Sequence, residues 1–456
     1  MNSSRATIGS KLKSQGMMVM NKRIQSKAFA LSTTILAIGF VVLMSQQASL
    51  HWRSEWYKGA ADTVKFPGSY KEGEGIVCDR SHFRTDLCTA FGHVQMHANL
   101  SSILLHAQDK SNFGIEEKVR PYTRKWEKDV MAIVHEVTLK SVPLTSSSNV
   151  NCDVVHNVPA IVYSTSGYTG NLYHEFNDGI IPMYITTQHL EKEVVFIIVD
   201  CHNWWLTKYD EILKQLTKYR VINFENETMV HCFPEVTVGL FIHGDLMIDP
   251  SLMVHNKSIL DFRAFVNRAY TPHWFVPEPN SDQPRLVILV REGNRVILNL
   301  KEVVGLAEQL GFNVTVWKPL RTTELKTTYA LLNSSHVLLG VHGAALTHFL
   351  FMRPGSVFIQ VIPLGTEWAS DTYFGEPAER MGFQYIGYKI GLEESTLSHK
   401  YSKNDIVLRN PRAVVQQGWA VTKQIYLESQ DVIINLSRMK RVLIRAKRKA
   451  NKFMSL

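Results

Sequence analysis

Residues 337–348, VLLGVHGAALTH, run from an apolar stretch into three small residues and then into a helix-forming segment. A strand that turns into a helix in this way collects unpaired backbone N–H groups and the positive end of the helix dipole, which suits a diphosphate. Gly343, Ala344 and Ala345 have no bulk to keep phosphate away, and His342 and Thr347 can donate hydrogen bonds. Close packing of strand on helix would use the same small residues, so the pattern leaves both readings open. Arg291 and Arg295 follow an apolar run at 286–290. They would supply the cations a departing nucleotide diphosphate needs, or else are surface arginines.

A second segment, 165–178, reads TSGYTGNLYHEFND. His174 and Asp178 are four apart and share one helical face, as either a base with its orienting partner for an acceptor hydroxyl or an ordinary helical hydrogen bond. A third, Cys201 to Trp205 (CHNWW), follows an apolar run ending at Asp200. Its tryptophans either stack on sugar rings or close a core. No Asp-x-Asp occurs, so the carboxylate pair that would hold a divalent ion on a nucleotide-sugar diphosphate is missing, and histidines and arginines take its place.

These segments need strands and helices to position them. Apolar runs at 158–164 and 194–200 predict buried parallel strands followed by helices. Prolines at 272, 277, 279 and 284 predict an interdomain linker. Beyond it come strands at 286–290, 313–317, 337–341 and 356–362 alternating with helices, the first at 300–310, which predicts an open parallel sheet. Two such units joined by a hinge place a cleft between the carboxyl ends of two sheets. Residues 412–452 read as helix, with Val432, Ile433, Leu436, Val442 and Leu443 toward the protein. Its basic face would meet solvent, acidic polymer or phospholipid.

The chain has 456 residues, 45% hydrophobic and 20% charged, enough for two packed domains. Six basic residues and no acid precede Ala28, and eight more with no acid lie between Arg438 and Lys452. Removing these fourteen from the 50 basic residues leaves 36 against 41 acids, so the body is no trap for nucleic acid. Residues 28–50 carry no charged side chain and follow a basic tail, which predicts a single-pass, type II signal anchor with the body in the lumen of the secretory pathway. A cleaved signal peptide is the competing reading. Sequons at Asn99, Asn226, Asn256, Asn313, Asn333 and Asn435 agree with that compartment. So does the placing of all five cysteines beyond the apolar segment, where two bridges and one leftover thiol are possible in fifteen pairings.

CDRSHFRTDLC (78–88), STSGYTGNLYHEFNDGIIP (164–182) and VHGAALTHFLFMRPGSVFIQVIP (341–363), with Trp368, Tyr373 and Tyr385 beyond them, closely resemble plant glycosyltransferase family 61. The likeness spans roughly residues 75 to 455. It implies an α/β, GT-B-like fold of two Rossmann-type domains facing a central cleft, preceded by one transmembrane helix. The expected divisions are a cytosolic tail 1–27, anchor 28–50, stem 51–70, acceptor-side domain 71–275, nucleotide-sugar domain 276–410 and helical segment 411–456. It also implies a Golgi enzyme that inverts at the anomeric carbon and needs no metal or other cofactor. The reaction it implies is transfer of a pentose, arabinofuranose or xylose, from a UDP-sugar to xylan. Alternatives are a catalytically weak glycan- or UDP-binding subunit of a Golgi complex and a transferase acting on N-glycans.

On this resemblance Asp178 is the base and His174 orients it or the acceptor. Arg291, Arg295, His342, Gly343, Ala344 and Thr347 hold the donor. The acceptor meets Tyr168, Asn171, Trp204, Trp205 and Trp368. Ser166 departs from the family pattern, standing where the first glycine of a Gly-Gly-Tyr turn is expected.

Overall fold

A computed structural model describes residues 65–70, 72–144, 151–271 and 283–455. The tail, the anchor and nearly all of the expected stem lie outside these residues, as does most of the proline-rich linker. No helix among the described residues is long and apolar enough to cross a membrane. Residues 63–456 cluster as one compact unit built on two sheets.

The second sheet is the simpler. Its five strands are all parallel, in the order Asn313–Trp317, Arg285–Leu289, Val337–Val341, Val357–Ile362, Gln384–Lys389. LLG and VIL triplets give no polar face, and Val337–Val341 and Val357–Ile362 are buried throughout, as parallel strands covered on both sides must be. The chain reverses its winding between Arg285–Leu289 and Val337–Val341. The carboxyl ends of these two strands therefore flank the topological switch point, where open α/β sheets bind ligands.

The first sheet departs from the expected Rossmann-type domain. Only Ile222–Asn223, Val195–Val199, Ala160–Ser164 and His231–Val238 form a parallel block with this winding. Leu87–His97 runs antiparallel to His231–Val238 and to Ser102–Ala107, and the sheet grows to ten mixed strands. The reason is local. Residues 75–107 offer short connections and no long helix between strands, so neighbours must pair antiparallel. Val137–Pro143 alternates buried and open positions, the mark of a strand with one wet face.

Helices lie between the sheets and join them. Ring contacts of Phe176 with Phe351 (5.9 Å) and of Tyr270 with Tyr329 (5.3 Å) and Phe351 (5.7 Å) belong to one buried cluster that draws residues from both sheets. The two halves are thus packed together along this seam. At the carboxyl end of the chain the helix is shorter than expected, Leu436–Met454, burying Met439, Leu443, Ala446 and Ala450. Val432 is buried ahead of it, bridged to Ile297 and Ser395, whereas Leu436 is exposed.

Cys78 pairs with Cys88 and Cys152 with Cys232, leaving Cys201 free. The second bridge closes a separation of 80 residues, for which chain entropy suggests about 4.5 kcal/mol. Cys152→Ser with Cys232→Ser is expected to lower the thermal midpoint by about 5 °C, read by thermal denaturation. An unchanged midpoint would contradict this.

Candidate active site

Asn171 opens the helix that carries the His174–Asp178 pair, its side chain accepting from the Tyr173 N–H. Its Oδ1 is committed to the helix cap, so only its amide N–H groups are left to meet an acceptor. After His174 the helix widens into a π turn over Glu175–Ile180, a form found often at functional sites. Gly179 is required here because a β-carbon would lie 2.6 Å from the Tyr163 hydroxyl.

Asp178 is wholly buried, and its two oxygens are saturated. His174 Nδ1 lies 2.6 Å from Oδ2, Arg124 Nε donates to Oδ2 at 2.9 Å, Asn177 Nδ2 donates to Oδ1 at 2.6 Å, and Arg84 lies at 3.4 Å. Burial alone would raise this carboxyl. The His174 hydrogen bond and the Arg124 and Arg84 charges outweigh it and hold the group down to about 2. Such a carboxylate has no lone pair turned outward for an acceptor hydroxyl. His174, by contrast, is partly open; its Nδ1 lies 2.6 Å from Asp178 Oδ2 and 3.0 Å from Arg124 Nη2, and the shorter contact, to a carboxylate that can only accept, favours the ring proton on Nδ1 with the lone pair on Nε2. The geometry therefore reverses the roles expected of the pair: Asp178 orients and His174 faces outward.

Around this pair lie residues that sequence reasoning missed. Arg124 also bonds Glu127, which accepts from the Tyr168 hydroxyl at 2.6 Å, and the Tyr168 ring stacks on His174 with centroids 4.2 Å apart. Arg84 also pairs with Asp245, which accepts from Tyr173. The motif at 78–88 held Arg84 in plain view. Arg124 and Asp245 lie in unpatterned loops with no local signal.

The strand-to-helix corner forms as expected, although the helix Ala344–Phe351 is 3₁₀ rather than α. Gly343 has φ +154°, a conformation that side chains rarely adopt, and a β-carbon there would displace Nη1 of Arg291. Arg295 Nη1 donates to the His342 carbonyl at 3.0 Å. Neither arginine has an ion-pair partner among the described residues, and Arg295 Nε is buried without a hydrogen bond. Burial lowers both guanidiniums, and Arg291 adds to the effect on Arg295. Thr347 is fully buried, its hydroxyl also without a partner.

His342 is equally defined. Tyr385 donates to Gln360 Oε1 at 2.7 Å, which turns the amide N–H of Gln360 onto His342 Nδ1 at 3.0 Å. The ring is then neutral with its proton on Nε2, and burial with the charges of Arg295 and Arg291 pushes it down to about 3. Two cations without ion-pair partners among the described residues and a neutral N–H donor, at a switch point, are groups of the kind that hold an anion.

The two groups are joined. Phe374 meets His342 (5.5 Å) and Tyr173 (5.8 Å), and Tyr373 meets Tyr173 (5.3 Å). Burial and the charge of Asp245 raise the Tyr373 phenol while Arg124 and Arg84 lower it, so a residue of the second half faces the arginine nest of the first. The helix start at Leu172–His174 also packs against Ala344–Phe351. Among the expected acceptor residues, Trp368 is exposed and edge-on to Tyr373, and Trp204 is exposed against His202. Trp205 is not available for a sugar. It is fully buried and donates Nε1–H to Glu175. Ser166 ties its hydroxyl to the Ile133 carbonyl. His135, Asp200 and Glu225 come close enough to share an ion, but there Asp200 and Glu225 hold backbone N–H groups, at the ends of first-sheet strands.

A model of the family described as Glycosyltransferase 61 matches residues 172–359. The chain is 44% identical over 402 residues to "Xylan glycosyltransferase MUCI21" of Arabidopsis thaliana, covering 84% of this chain and 81% of that one. The chain belongs to glycosyltransferase family 61. It is also 36% identical to the rice "Beta-1,2-xylosyltransferase XYXT1" (81% and 83% covered) and 35% identical to the rice "Alpha-1,3-arabinosyltransferase XAT3" (82% and 66% covered). Among solved structures, the iron-containing heptosyltransferase TibC in complex with ADP-D-beta-D-heptose matches at a TM-score of 0.31 and 14% identity, over 85% of this chain and 99% of that one.

The titratable interior makes one prediction. Burial pushes His82, His243 and His336 down to about 4 and His342 and His348 to about 3. Unfolding returns them to 6.5, so the unfolded chain binds more protons below that value and stability is expected to rise with pH from about 4 to about 6.5. Glu175 and Glu235, which burial pushes up to about 7, act in the opposite sense but are two against five. Thermal midpoints measured across that range test the sign; a falling curve would refute it.

Proposed function

We propose that this chain is an inverting, metal-independent glycosyltransferase that moves a pentose, arabinofuranose or xylose, from a UDP-sugar to a xylan-type polysaccharide. On this reading it is a type II Golgi enzyme, and its two sheets are the halves of a GT-B-like fold. The observation that carries the reading is the pairing of Arg291 and Arg295, without carboxylate partners among the described residues, with a His174 ring oriented by buried Asp178. The names of the Arabidopsis and rice relatives support the acceptor and the class of sugar.

In the reaction, the acceptor oxygen attacks the anomeric carbon from the face opposite the diphosphate. His174 Nε2 takes the hydroxyl proton, and the Asp178 carboxylate stabilises the imidazolium that forms. The bond from the anomeric carbon to the diphosphate oxygen breaks. Arg291, Arg295 and the His342 N–H receive the charge that develops there, at the corner where Gly343 and Ala344 lie. One displacement inverts the carbon. Tyr168, Trp204 and Trp368 border the acceptor side, and Thr347 lies beneath the donor corner.

The test is incubation of the full chain with xylo-oligosaccharides and a panel of UDP-pentoses, read as a pentosyl mass gain on the acceptor. Gain with one UDP-pentose supports the reading and names the sugar. Binding of UDP without gain from any donor would favour a binding subunit instead.

A further inference from the structure

Two of the large exposed apolar side chains, Phe83 and Trp126, stand together outside the groups already assigned. They are 54% and 43% exposed, with ring centroids 5.6 Å apart. Their loops come from distant parts of the chain, one between Cys78 and Cys88 and one after the strand Glu116–Val119. A soluble protein gains nothing from leaving an indole and a phenyl in water side by side, so the pair invites an occupant.

The pair is continuous with the catalytic histidine. Arg84 and Arg124 each lie over the Trp126 ring at 5.0 Å, and both reach Asp178. Arg124 also lies 5.6 Å over Tyr168, whose ring stacks on His174. A strip therefore runs from Phe83 through Trp126 to Tyr168 and His174, aromatic along its exposed side and pinned from within by two buried arginines. The outer end has flat apolar faces, suited to the C–H faces of neutral sugar rings rather than to a charged ligand.

We propose that Phe83 and Trp126 form an outlying acceptor subsite, on which rings of a neutral polysaccharide stack several units from the hydroxyl that reacts. The inference rests on the acceptor reading given above. It predicts that the chain prefers long acceptors, since only these reach Phe83 and the reactive hydroxyl at once.

The experiment measures the acceptor KM for a ladder of xylo-oligosaccharides with the full chain and its Phe83→Ala and Phe83→Tyr variants. Phe83 is chosen because of the two arginines it meets only Arg84, at 5.9 Å, whereas Trp126 lies under both at 5.0 Å. In the unaltered chain KM falls with acceptor length. Phe83→Ala is expected to reduce the long-acceptor advantage by about tenfold, equivalent to about 1.4 kcal/mol, and Phe83→Tyr to restore it. The same length dependence in all three proteins would overturn the subsite while leaving the enzyme reading intact. So would loss of an oligomer in Phe83→Ala with length dependence kept, which would make the patch a contact between copies. Hydrolysis of a UDP-pentose without transfer to any oligosaccharide would instead reject the acceptor reading and the subsite with it.

Discussion

His174→Asn is expected to lower glycosyl transfer by about a thousandfold, within the usual contribution of a positioned base, while UDP binding persists. The variant keeps a small polar side chain in the nest but has no basic nitrogen to receive the acceptor proton. Asp178→Asn is expected to lose transfer as well, with a second effect that separates the two residues. Arg84 and Arg124 would lose the buried carboxylate they share, and removing one partner of such a buried group costs about 3–5 kcal/mol. Single-turnover transfer, UDP calorimetry and thermal denaturation on both variants decide the assignment. Undiminished transfer by His174→Asn would remove it from the base role. Loss of transfer in Asp178→Asn with no loss of stability would contradict the nest described above.

At the donor corner the signs should oppose each other. Arg295→Met removes a half-buried cation that has no carboxylate partner among the described residues and makes two hydrogen bonds, to the His342 carbonyl and to Asn294 Oδ1. Replacing an unpaired buried charge with an apolar group of similar length tends to stabilise a fold. The thermal midpoint is therefore expected to hold or rise, while kcat/KM for the donor falls by about 10² to 10³, as when a charge-stabilising donor is lost. A residue kept for structure would behave the other way, with stability falling first. Gly343→Ala tests the same corner sterically. Its methyl group would enter the space of Nη1 of Arg291, so the donor KM is expected to rise, and an unchanged donor KM would mean that Arg291 does not hold the leaving group.

Much of this was legible in the chain itself. The strands at 313–317 and 337–341 fall where they are expected; the second is apolar throughout because a strand buried on both faces must be. The spacing of His174 and Asp178 put them in contact, because four residues make one turn. Their roles were not legible. Whether a carboxylate acts as base or as buried anchor depends on how many donors surround it, and Arg84 and Arg124 reach Asp178 from 94 and 54 residues away. Trp205 failed for the same reason. A CHNWW run does not reveal which indole points inward, and Trp205 found Glu175 in the interior.

Local pattern thus determined the second sheet, the glycine corner and the helical histidine–aspartate pair, since each is set by forces acting within a few residues. The mixed first sheet, the core shared between sheets, the pairing of four of the five cysteines and the electrostatic character of each candidate site group were decided only by the tertiary structure. These depend on contacts between segments far apart in sequence, where loop closure and burial, rather than local periodicity, choose the neighbour.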